Sequence, residues 1–177
     1  TLTFSDGSTV AVGALANKGS ATTVLFAERS TSSVRLTVNT TSGSTLNVGL
    51  AEFQAWGSTT VTPTPTATVT PTPTATAPTG VNVAGSSTVT ASSQNAGSGQ
   101  TAVKAIDGVV DGYPGDYSRE WATDGGRANS WIQLRWAQPV RLNAVVLHDR
   151  PNSNDQITGG TLTFSDGSTV AVGALAN

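Results

Sequence analysis

Residues 1–17, TLTFSDGSTVAVGALAN, return letter for letter as residues 161–177. Within the segment Leu2 and Phe4 alternate with Thr1, Thr3 and Ser5. Asp6-Gly7 supplies turn chemistry, and Val10 and Val12 resume the alternation. Strand, turn and strand of period two make a β-hairpin. A second copy offset by 160 residues with no substitution reads as one period of a tandem repeat plus the start of the next. Two readings stand: a window on a longer array, or a permuted chain engineered with duplicated ends. The lack of any Met and of a signal-peptide pattern fits a processed or internal segment.

Outward from the hairpin the same grammar continues. Thr23–Arg29, Val34–Asn39 and Val48–Trp56 read as strands, and Val34, Leu36 and Val38 face one way while Arg35 and Thr37 face the other. Past residue 80, Ser87–Ser92 reads as a short strand and Thr101–Ile106 as a short helix. A long Gly/Asp/aromatic loop runs from Asp107 to Ser130, and Trp131, Leu134, Trp136 and Leu142–Leu147 supply bulky strand residues, with Trp131 and Trp136 expected in the core. No stretch keeps a helical period. The expected class is all-β, a jelly-roll-like antiparallel β-sandwich split across the repeat boundary.

Residues 58–79, STTVTPTPTATVTPTPTATAPT, separate the two β-rich parts. Alternating proline removes backbone donors and fixes φ, so the tract is expected to be an extended linker close to polyproline II. Thr/Pro tracts are also acceptors for O-linked sugars, here Thr62, Thr64, Thr66, Thr68, Thr70, Thr72, Thr74 and Thr76. The plainer reading is a bare linker. The expected organisation is therefore 1–57 as the C-terminal half of one sandwich repeat, 58–79 as linker, and 80–177 as the N-terminal part of the next. Residues 1–57 are too few to be stable alone. Alternatively they fold back across the linker, and 1–17 then competes with 161–177 for one place in the sheet.

Composition excludes several function classes. Only 11% of residues are charged and the net charge is −2, so the clustered Lys and Arg that phosphates demand are missing and no nucleic-acid partner is expected. No apolar run reaches the length of a membrane span. Without cysteine there is no disulfide framework and no thiol chemistry. No nucleophile elbow and no phosphate-cradling glycine loop occurs, so the chain is not expected to be an enzyme. Low charge, abundant Thr and Ser and no Cys suit an extracellular, bacterial cell-surface protein.

With the two parts reordered, several elements point to one family. Val83–Ser93 (VAGSSTVTASS) is similar to its first strand, Ala105-Ile106-Asp107-Gly108 to its A-x-D-G turn, and Trp121-Ala122-Thr123 to its W-x-T/S element. Ser130–Leu134 (SWIQL) is similar to a core strand with a buried Trp, Val145–Arg150 (VVLHDR) to the strand entering the ligand loops, and Gly49–Phe53 (GLAEF) to the closing strand. In these the chain resembles the galactose-binding-like β-sandwich superfamily, which includes discoidin (coagulation factor 5/8 C-type) domains and many bacterial carbohydrate-binding modules. The resemblance implies an eight-stranded jelly-roll-like sandwich without catalysis of its own.

The resemblance also implies two sites. One is a structural Ca²⁺ held by the carboxylates of Asp107 and Glu52 with the carbonyls of Lys104 and Ala51, hard oxygen ligands of the kind this ion takes. The loop after Gly108, VVDGYPGDYSREW, departs from the family pattern, and Asp111 and Asp116 are candidates to replace the usual ligands there. The plainer reading has Asp107 capping a turn and Glu52 paired with an Arg. The other site is for carbohydrate, with His148, Arg150, Asn152, Asn154 and Asp155 as polar candidates and Tyr113, Tyr117 and Trp121 as stacking ones. Against it, Asp149 and Arg150 can pair with each other, Asn152–Asp155 is turn chemistry, and a lone His is commonly structural. Two functions follow. The leading one is a structural fibre or stalk whose partners are neighbouring copies of the same repeat. The alternative is a carbohydrate-binding module that gains avidity from repetition.

Overall fold

The computed structural model describes residues 2–4, 9–13, 19–59 and 77–171, the first two stretches as backbone strands only. Among these residues are ten strands and no α-helix. They are β1 (Leu2–Phe4), β2 (Thr9–Gly13), β3 (Ala21–Thr41), β4 (Gly49–Ser58), β5 (Val81–Asn82), β6 (Thr88–Ala91), β7 (Trp121–Ala122), β8 (Trp131–Asp149), β9 (Ile157–Phe164) and β10 (Ser168–Val170). Every strand pairing is antiparallel, and together the strands form one continuous sheet network. The fold is all-β, as the alternation predicts. No helix among the described residues is long and apolar enough to cross a membrane.

Two long strands make the network double-layered. Residues 21–31 of β3 pair with 140–148 of β8, and β8 there pairs on its other edge with β4. Residues 34–41 of β3 pair instead with β9, while 132–135 of β8 pair with β6. The register of β3 shifts between Leu25 and Arg29 and again between Thr31 and Ser33, and β8 carries Pro139, which cannot donate to a ladder. At these irregularities the strands pass from one layer to the other. The inward faces share one core: Val34, Leu36 and Val38 of β3, Phe53 of β4, Ile132, Leu134, Val145 and Leu147 of β8, and Trp121 of β7. Val145, Val146 and Leu147 are all buried, which fits a strand flanked on both edges and covered on both faces.

The short helix expected at 101–106 is a 3-10 turn, Ala102–Ile106, and the strand expected at 87–92 is β6. Trp136 is in the core, its Nε1–H donating to the Val83 carbonyl at 2.9 Å. Trp131 is only half-buried, on the outward phase of β8, with the Arg35 guanidinium 4.1 Å from its ring centre. The apolar side chains that SWIQL sends inward are Ile132 and Leu134, because Trp131 lies one residue out of their phase.

The segments on either side of the linker belong to the same core. Trp56 and Gly57 of β4 stand opposite Asn82 and Val81 of β5, so both linker ends meet at one edge of the fold. Gly80 has φ +90°, and a Cβ there would lie 2.2 Å from the Gly57 carbonyl oxygen, so only glycine lets the returning chain come this close. The side chain of Asn143 clasps Thr79, accepting from its N–H at 3.0 Å and donating to its carbonyl at 2.9 Å. All eight candidate glycosylation threonines, Thr62 to Thr76, lie outside the described residues.

Candidate functional site

The loop 111–120, the turn 150–156 and the loop before β4 meet around a cleft of about 350 Å³. Asn47, Ser98, Gln100, Tyr113, Tyr117, Arg150, Asn152 and Asp155 line it. Its floor is a polar network centred on Arg150, whose Nε is buried without a partner. Arg150 Nη2 donates to Glu120 Oε1 at 2.7 Å, and Nη1 donates to Asp155 Oδ2 at 2.9 Å and to the Asn47 carbonyl at 3.1 Å. Gln100 Nε2 donates to the same Glu120 oxygen at 2.6 Å, and the Tyr113 N–H donates to its other oxygen at 3.3 Å. Asp155 is saturated as well, accepting from the N–H groups of Leu46 and Asn47 at 2.6 and 3.2 Å and from Asn152 Nδ2 at 3.0 Å. Gly112 lets the loop close over this network, since a Cβ there would lie 2.1 Å from Glu120 Oε2.

The rim differs in kind from the floor. Tyr113 and Tyr117 are 51% and 50% exposed, large rings left in water at the mouth of a polar cleft. With exposed Ser98 they offer hydroxyls at the rim, whereas Asn152 is held within the turn, donating to Asp155 and accepting from the Asn154 N–H at 3.1 Å. The floor holds two carboxylates against one guanidinium, so it disfavours an anionic ligand and suits a neutral one rich in hydroxyls.

Of the sequence-derived carbohydrate residues, Arg150, Asn152, Asp155 and Tyr117 are brought together in this cleft, with Tyr113 beside them. Trp121 is not: it is fully buried, its Nε1–H donating to the Ser93 carbonyl at 3.0 Å, and it belongs to the core. His148 stands in register opposite Glu52 on β4, and its Nδ1 lies 2.6 Å from the Gly19 carbonyl, outside the cleft lining. Asn154 is exposed, and its carbonyl accepts from Ser44 at 2.8 Å. Asp149 takes the backbone N–H of Arg150 at 2.9 Å and that of Ile157 at 3.0 Å, while the Arg150 side chain turns to Glu120 and Asp155. Burial pushes the Asp149 carboxyl well above the usual carboxylate range. Asn47, Ser98, Gln100 and Glu120 carry no local signal, because they come together from three separate loops, Ser98 and Gln100 sharing one.

The residues of the implied metal site fall into two groups. Glu52 is buried; Oε2 accepts from the Gly108 N–H at 3.3 Å, and Oε1 has no partner. Burial raises its carboxyl to about 7, and the neighbouring Asp107 charge pushes the same way. Asp107 caps its own turn through the Val109 N–H at 3.0 Å and lies 3.9 Å from Lys104 Nζ and 3.6 Å from Arg119 Nη1. Asp111 and Asp116 turn inward on their own loop, accepting from the Gly112 N–H at 2.7 Å and from the Ser118 N–H at 3.0 Å. No three acidic, His or Cys side chains converge among the described residues, so a cation here would take Glu52 and Asp107 with backbone carbonyls, Lys104 and Ala51 being the candidates. An orphaned buried carboxylate oxygen beside a second carboxylate fits a hard divalent cation.

The sequence model of one family, described as a domain of unknown function (DUF7402), matches residues 1–56 and 82–177 and passes over the linker between them. No curated protein and no solved structure matches the chain.

Proposed function

The chain belongs to the DUF7402 family, and from that footing we propose that it is a non-catalytic, extracellular glycan-binding module of the galactose-binding-like kind, repeated in tandem with a Thr/Pro linker in each copy. The observation that carries this reading is the cleft: two half-exposed tyrosines over a buried floor in which Arg150 pairs with Glu120 and Asp155. Aromatic faces take up the CH surfaces of a sugar, and outward polar groups take its hydroxyls. Ca²⁺ at Glu52 and Asp107 would act as a structural clamp between β4 and the turn after residue 106, and the linker threonines would carry O-glycans. The placement of the linker ends favours display over a stiff stalk. Both emerge at the β4–β5 edge, so the linker begins and ends on one sandwich rather than running as a spacer between successive ones.

Titration calorimetry of the whole chain against neutral oligosaccharides tests the reading. Binding that is lost in Tyr113→Ala and Tyr117→Ala, with melting unchanged, is the expected result. Heats indistinguishable from dilution across a broad glycan panel would sink it. The second reading, a fibre of contacting copies, draws on the identity of the two end segments.

A further inference from the structure

Both copies of the duplicated segment hold the same partners. Leu162 and Thr163 of β9 stand opposite Leu36 and Arg35 of β3, and Leu2 and Thr3 of β1 stand opposite those same two residues. Thr161 likewise pairs with Ala11 of β2 and with Ala171, which is Ala11 displaced by one 160-residue period. The far edge of β3 is already taken. Val38 donates to the Ser130 carbonyl at 2.8 Å and accepts from the Asn129 N–H at 2.7 Å, and Ser33 pairs with Arg135. One edge therefore remains, and each backbone group on it serves one ladder bond, so it admits one strand in this register.

The slot is specific. Leu162 and Phe164 are buried in it, the Phe164 ring meets Phe26 edge-on at 5.2 Å, and the Arg29 guanidinium lies 5.1 Å from the Phe164 ring centre. Arg29 also reaches the Ser168 hydroxyl at 2.7 Å. Each copy is tethered to the sandwich by a short stretch: seven residues separate β8 from β9, and seven separate β2 from β3. Neither copy holds a clear advantage in reach.

We infer that the two copies are alternative occupants of one slot, and that the copy left out is a donor hairpin for the slot of a second copy of this chain. Every exchanged contact duplicates an intrachain one, so the balance between the two arrangements is set by chain concentration. The inference does not rest on the glycan reading, and absence of sugar binding leaves it standing.

The test uses the full chain in four forms: parent, Leu2→Asp, Leu162→Asp and the double variant. With interchangeable copies, each single variant melts within about 5 °C of the parent, whereas the double variant loses more than about 10 °C or its cooperative transition altogether. Light scattering on the parent shows mass rising from one chain toward two as concentration increases, and Leu2→Asp, which has no spare hairpin, stays at one chain. A Leu162→Asp protein as damaged as the double variant would show that the slot belongs to β9 alone. A parent mass fixed at one chain up to millimolar concentration overturns the donor role.

Discussion

Glu120 and Glu52 are both taken out of water, and the fold treats them in opposite ways. Glu120 receives Arg150, Gln100 and a backbone N–H, whereas Glu52 receives one long backbone hydrogen bond and keeps an oxygen with no partner. A buried charge with a full set of partners acts as a pin: it holds three loops in register and is costly only when broken. A buried charge without them works against the folded state until a proton or a cation arrives. The first arrangement gives the cleft a rigid floor, and the second marks the place where bound calcium would stabilise most.

The largest effect is expected from breaking the pin. Arg150→Met leaves Glu120 and Asp155 facing each other without a cation, and urea unfolding should show a loss of about 3–5 kcal/mol. Adding Glu120→Gln to that variant should recover part of it. Equal loss in the single and double variants would mean that packing, not charge, makes Arg150 matter.

Glu52 should behave in the opposite sense. Its carboxyl titrates near 7 in the folded chain against an ordinary 4.5, so between these values the folded state keeps a proton that the unfolded state has released. Stability therefore falls as pH rises through that window, by up to about 3 kcal/mol, and stays low above it. Glu52→Gln should remove this part of the pH dependence and raise the melting temperature at pH 8. Asp149, also raised by burial, contributes with the same sign and remains in the variant. Calcium should raise melting of the parent at pH 8 and leave Glu52→Gln nearly unmoved; an equal response in both would place any cation elsewhere.

Smaller effects sharpen the contrast. Gly112→Ala pushes a methyl group against Glu120 and should cost about 1–3 kcal/mol in a denaturant melt. Tyr113→Ala and Tyr117→Ala alter only the rim, so each should stay within about 0.5 kcal/mol of the parent while abolishing sugar binding.

Much of the architecture was legible in local pattern. The alternation at Val34, Leu36 and Val38 gave a strand and its inward face, and Asp166-Gly167 gave the turn between β9 and β10, where Gly167 has φ +82°. The cleft was half-legible. Arg150, Asn152, Asp155, Tyr113 and Tyr117 were found as polar or aromatic residues in loops, but nothing separated Tyr117 from Trp121 until one proved half-exposed and the other fully buried. Burial of an aromatic side chain in so short an element depends on what the rest of the chain lays over it, which its neighbours in sequence do not encode. His148 illustrates the same limit: its phase on β8 places it opposite Glu52, outside the cleft, although it lies only two residues from Arg150.

The sequence by itself determined the all-β class, the hairpin and its duplication, and the lack of a nucleophile elbow or phosphate loop, because each is written in residues a few positions apart. Tertiary structure decided which half-strands of β3 and β8 share a layer, that the two linker ends meet at one edge, and that Glu120 has an arginine while Glu52 has none. These depend on pairings between residues far apart in the chain. Their outcome follows from which register buries the most apolar surface while leaving the fewest polar groups unpaired.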